Sequence, residues 1–265
     1  MTDGHSEAES DSVGRSGTGS DSAGQPWAGR AFQPNPASDD DGSADPGLIA
    51  ALTAFRAGSS SPLEVLAALA SARLLVPLLA HAGEVGFTPD GHQVDKTQEL
   101  SLVTVQGPDG RPVLPAFTSV DAMRAWNAIA RPVPATAVRV ALAAIDDGSL
   151  VVIDPTSPTE FALRRPALTA LVTGVPWVPC WQDSDLLPEF AAAAAPESAV
   201  AALDLLPGDP DFRLTGAELV AVVRLEHGVS DAEVHALIVR LHSAWQASEL
   251  IAERVDSLTL QVVPA

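Results

Sequence analysis

Tyrosine is absent from the 265 residues, lysine occurs only as Lys96, and cysteine only as Cys180. A lone cysteine excludes an intrachain disulfide, so the fold must be held by a packed core rather than a covalent framework. Bases are scarce: 15 Lys and Arg stand against 34 Asp and Glu, for a formal net charge of -19. Neutralising a phosphate backbone or an anionic membrane surface requires clustered Lys and Arg, so the chain is expected to bind neither nucleic acid nor membrane. No apolar run approaches the roughly 18 to 20 residues that cross a bilayer. The opening "MTDGHSEAES" lacks the basic start and apolar segment of a secretory signal, so the expected location is the cytoplasm.

Catalytic signatures are also missing. The chain holds no GxxxxGK[ST] phosphate loop, no GxSxG elbow and no HExxH helix. His235 and His242 lie seven apart on one predicted helix, but helical metal sites use spacings of three or four and a further ligand, so no metal or other cofactor is expected. Cys180 sits in "PWVPCW" between Trp177 and Trp181 with no base nearby to lower its pKa, which reads as a buried packing residue. Asp146 and Asp147 precede Gly148 and read as a turn rather than a catalytic pair.

What is present is 46% apolar residues, enough for one good-sized core or two small ones. Residues 1–45 stand apart, with nine carboxylates against Arg15 and Arg30 among Ser and Gly, and read as a disordered acidic tail. Trp27 and Phe32 in it form an isolated aromatic pair, either incidental or a short partner-binding motif. Asp45 and Pro46 open a helix that Gly58 ends; Ser61 and Pro62 open a second, which runs into the buried strand Leu74 to Leu79. "GEVGFTPDGHQVDKTQ" reads as an exposed loop. Gly107 to Gly110 joins two β-rich runs as a hairpin, Leu150 to Ile153 forms a strand, and "TEFALRRPALTALV" gives a brief strand and a helix.

The pattern then predicts a Pro/Ala-rich linker over 183–211 and a C-terminal β-α-β unit over 212–265, with strand Leu219 to Leu225, a helix opened by the capping box Ser230 to Glu233, and strand Leu258 to Val263. The fold class is α+β or mixed α/β: a main domain over 46–182 with a mixed sheet and packed helices, plus that small unit.

"VLPAFTSVDAMRAW" holds the best local candidate for a site. A strand delivering Thr118 and Ser119 to a helix start exposes backbone N–H groups and hydroxyls that suit an anion or a carbonyl oxygen. Ser119 also reads as an ordinary N-cap, with Asp121 in the first turn and Met123 and Trp126 inward; that reading ranks first, a ligand site second, and a nucleophile last because no base is identifiable. The candidate contact residues are Phe117, Thr118, Ser119 and Trp126, with Trp177 and Trp181 lining a groove in the proline-rich stretch.

"DGRPVLPAFTSVDAMRAW" followed by "LVVIDPTSPTEFAL" resembles the N-terminal domain of the SseB family, through the Leu114 to Ser119 strand end, Trp126 and the Asp154-Pro155 turn. The resemblance spans Gly47 to Trp181, and the last block resembles the family's C-terminal portion. It implies a cytosolic bacterial α/β domain and supplies no catalytic residues. With catalytic motifs absent, and an acidic tail and a Trp-rich proline segment present, the expected function is non-catalytic, through contact with an unidentified protein partner. The alternative is a small-molecule or anion binder at the Thr118-Ser119 junction.

Overall fold

The computed structural model describes residues 40–79 and 103–265 fully and, between them, the backbone of residue 80 and of three short strands. Residues 1–39, with the Trp27 and Phe32 pair, lie outside the described residues. The end of the acidic stretch is placed: Asp40 forms an ion pair with Arg73 at 2.7 Å, and the Gly42 carbonyl accepts from Val120 N at 2.9 Å. The folded region thus begins before the residue-45 boundary.

Helix α1 (Pro46–Arg56) starts where Asp45 accepts from Leu48 N at 2.9 Å, and α2 (Pro62–Ser71) follows. Ser61 makes no side-chain cap to α2; instead Ser60 Oγ donates to Glu64 at 2.7 Å. Strand β1 (Arg73–Ala80) carries the apolar run. Beyond it, β2 (Val85–Phe87) pairs antiparallel with β3 (Gln93–Asp95) inside the stretch expected to be a loop, and β4 (Leu100–Leu102) pairs with β1. The β2 and β3 runs are three residues each, too short for alternation to register in the sequence.

The expected hairpin forms between β5 (Val105–Gln106) and β6 (Pro112–Ala116), with Gly110 at φ 82, a left-handed conformation that glycine adopts without a Cβ penalty. Next come α3 (Val120–Trp126), β7 (Arg131–Thr136), α4 (Ala137–Asp146), β8 (Leu150–Ile153), β9 (Phe161–Leu163) and α5 (Arg165–Thr173). The "RPVP" stretch forms β7, an edge strand on β1; prolines are tolerated there because an edge has free N–H positions.

Strand β6 runs parallel to β8, and β5 and β9 flank this pair antiparallel. Leu75 of β1 and Phe117 exchange two backbone hydrogen bonds of 2.8 Å, which extends the sheet from β6 to β1. One face, with Leu74, Val76, Leu114, Val151 and Ile153, packs on α1, α2, α4 and α5. On the other face α3 covers Leu75 and Phe117, and Leu214 covers Val113, Leu150 and Val152. Alternate residues of these strands therefore serve opposite cores.

The region expected to be a linker, 183–211, contains α6 (Leu186–Ala194) and β10 (Val200–Pro207). Its alanine run has no polar face and so shows no helical period, and the two prolines inside its elements sit where they are tolerated, Pro188 in a first turn and Pro207 at the end of an edge strand. Strand β10 pairs with β11 (Leu219–Leu225), which runs parallel to β12 (Leu258–Pro264). Helices α7 (Asp231–Ala247) and α8 (Glu249–Arg254) form the crossover, and the Ser230–Glu233 capping box is present. Trp245 anchors this core, its indole donating to the Phe190 carbonyl at 3.2 Å.

Residues 40–265 make one compact unit. The loop from Gly208 to Ala217 carries Phe212 into the main core, where it stacks on Phe161 at 4.8 Å, and Phe212 O accepts from Ala162 N at 2.8 Å. Phe212 and Leu214 hold φ 51 and 59, the left-handed region that bulky residues rarely enter. Asp209 holds the loop in that shape by accepting from Leu214 N at 2.8 Å and from Thr215 Oγ1 at 3.0 Å. At the loop's neck, a Cβ on Gly208 would collide with the Ala217 carbonyl.

Candidate functional site

At the Phe117-Thr118-Ser119 junction, Ser119 is a cap: its Oγ accepts from Ala122 N at 3.1 Å. Thr118 is buried, and both its N–H and its hydroxyl donate to Asp154, each at 2.8 Å. Thr159 Oγ1 donates to the same carboxylate at 3.0 Å. Burial pushes the Asp154 carboxyl above its usual range, against the lowering effect of those three donors. With the Val120 N–H already on Gly42, the donors named here are spent inside the protein. Trp126 lies half-buried against Phe117, ring centroids 5.3 Å apart. The junction thus ties β6, β8 and α3 together. Replacing Ser119 by alanine is expected to cost about 1 kcal/mol in urea unfolding, the usual worth of an N-cap.

A second polar cluster was not visible in the sequence. Arg164, at the head of α5 and 3% exposed, donates from Nη2 to Asp209 and to the Gly216 carbonyl, both at 2.7 Å. Its Nη1 donates to Ser257 at 2.9 Å and to Asp256 at 3.3 Å. Arg111 reaches the same Asp256 oxygen at 2.8 Å. Glu218, 4% exposed, accepts from Asp256 N at 2.7 Å. Burial first, and then the neighbouring Asp256 charge, push its carboxyl up to about 7, although the Asp256 N–H, Arg164 and Arg165 pull the other way. Cys180 lies near Glu218, and burial pushes its thiol far above the ordinary range, the opposite of an activated nucleophile. The cluster joins β9 and α5 to the C-terminal strands. The only sequence signal was an arginine pair, Arg164-Arg165, at the head of an apolar helix.

The remaining tryptophans sit together on Phe212: Trp177 edge-on at 6.3 Å and Trp181 at 6.1 Å. Trp181 is half-buried between the two main cores. Trp177 is 9% exposed and forms the shared wall of two adjoining clefts of about 510 and 380 Å³. Helix α5 ends at Gly174 in the left-handed region, φ 70, which turns the chain so that Val175 and Pro176 project outward while Trp177 points in. Val175 is 62% exposed and Val178 48%, and Leu63 of α2 is exposed across the smaller cleft. Six candidate residues thus fall into two groups: Phe117, Thr118, Ser119 and Trp126 hold the fold at one junction, while Trp177 lines surface clefts and Trp181 lies between the two main cores.

Among the described residues no group of three or more His, Cys, Asp or Glu is placed to hold a metal ion, and no helix is long and apolar enough to cross a membrane. Residues 48–170, from α1 into α5, match the family model described as SseB protein N-terminal domain. No curated protein matches the chain, and no solved structure does.

Proposed function

We propose that this chain, which belongs to the SseB family through its residues 48–170, is a non-catalytic cytosolic bacterial protein that works by binding another protein at the clefts around Trp177. The observation that carries the reading is the exposed apolar rim there. Val175, Val178 and Leu63 stay in water although Trp177 beside them is buried, and clustered apolar exposure on an otherwise charged surface favours association. Cytosolic residence accords with a buried free thiol at Cys180. The alternative, a small molecule or anion at Thr118-Ser119, has less support because the hydrogen-bonding groups there satisfy Asp154, Gly42 and Ala122.

A photo-reactive residue placed at Val175, compared with one at the equally solvent-facing Val239 of α7, tests this in a bacterial lysate. Adducts at position 175 that are absent at 239, and that unlabelled protein competes away, are expected. The same adducts at both positions, or none at either, would remove the reading.

A further inference from the structure

The geometry points to a partner segment that is amphipathic and cationic, with an apolar side chain seated against Trp177 and Lys or Arg side chains turned toward Asp185 and Glu253. This rests on the protein-binding reading above and adds the chemistry of the occupant.

The two clefts differ in character along their length. At the α2 end the walls are Leu63, Leu66, Ala67, Ala70 and Leu171, all apolar. At the α8 end they are Asp183, Asp185, Glu253 and Arg254. Arg254 Nη1 spans Asp183 at 2.8 Å and Asp185 at 3.0 Å, so one cation is shared between two carboxylates, while Glu253 faces solvent without a partner among the described residues. This end is therefore net negative, on a chain whose charge is already -19. A cationic segment gains from that field both on approach and once seated.

The floor between the ends is the outer face of α5. Thr169 Oγ1 donates to Arg165 O at 3.0 Å and Thr173 Oγ1 donates to Thr169 O at 2.8 Å. With their hydroxyl protons used on the helix, these residues have no donor left for a partner; they lie in the cleft beside Pro166 and Ala170. Small side chains on both α2 and α5 let another backbone lie close, which suits a helix or an extended segment more than a compact ligand. The walls are also fixed: Arg165 Nη2 donates to the carbonyls of Ala252 and Val255 at 2.8 and 3.0 Å, holding the end of α8 to the head of α5.

Two synthetic amphipathic helical peptides with the same leucine pattern, one with lysine and one with glutamate at its polar positions, provide the test by fluorescence anisotropy against the full chain. The leucine-lysine peptide is expected to bind, and the Val175→Asp variant to weaken it by about tenfold or more, as does the pair Asp185→Asn with Glu253→Gln. Removing the same charge elsewhere, with Glu226→Gln and Asp231→Asn, is expected to leave binding unchanged. Equal binding of the glutamate peptide, or an equal loss in the Glu226 and Asp231 variant, would overturn the inference. If peptide charge proves irrelevant while the Val175 adducts persist, the partner chemistry falls and the protein-binding reading stands; loss of the adducts removes both.

Discussion

Replacing Glu218 by glutamine is expected to stabilise the protein above pH 7 by up to about 3 kcal/mol and to leave it nearly unchanged near pH 4.5. In the folded chain this carboxyl is pushed from 4.5 up to about 7. Between those values the folded state keeps the proton and the unfolded state releases it, so stability falls as pH rises through that window and levels off above it. At about 1.4 kcal/mol per unit of displacement, the full difference is on the order of 3 kcal/mol.

Glutamine mimics the protonated acid and keeps an oxygen for the Asp256 N–H that Glu218 now accepts at 2.7 Å. The Cys180 thiol near Glu218 does not titrate in this window to mask the effect, because burial holds it protonated. Urea unfolding of both proteins from pH 4.5 to 8.5 measures it. Parallel stability curves across that range would show that Glu218 does not carry the proton.

What the sequence made legible was local. Ser119 is an N-cap, Ser230 and Glu233 form a capping box, and Gly110 turns a hairpin, because each of these needs only residues within a few positions of itself. Strand β11 was readable because its apolar run is bounded by a helix start, and β8 because a turn precedes it. Helix α6 and strand β10 were not, since alanine fits any period and an edge strand half in solvent lacks clean alternation. The Arg164 cluster was beyond reach for a different reason: its partners Asp209 and Asp256 are 45 and 92 residues away, and no spacing rule connects them. Trp177 was singled out for its proline-rich setting, and the structure adds that Gly174 turns the chain there, leaving Val175 in water.

Replacing Arg164 by alanine is expected to cost about 3 to 5 kcal/mol, the largest single loss at any polar position discussed, because it strands buried carboxylates. The side chains of Arg164, Asp209 and Asp256 are all 3% exposed or less. Burial alone would raise the Asp209 carboxyl, yet the Arg164 guanidinium and the N–H groups of Arg213 and Leu214 outweigh it and hold the carboxyl below its usual range. That depressed value contributes stability at neutral pH, lost as pH falls through the folded-state value, and the alanine variant should lose much of this contribution.

Lysine in place of Arg164 is not expected to restore stability, since its compact ammonium lacks the fork that reaches Asp209, Gly216, Ser257 and Asp256 from two nitrogens. Arg164 lies within the matched family domain and its partners lie beyond it, so the loss should destabilise both parts together. Urea unfolding of the alanine variant, followed by tryptophan fluorescence and by far-ultraviolet circular dichroism, should give one transition shifted to lower denaturant by both probes. Two separated transitions in the native protein would instead mean that the C-terminal strands stand without the Arg164 cluster, and the midpoint shift would then be confined to one of them.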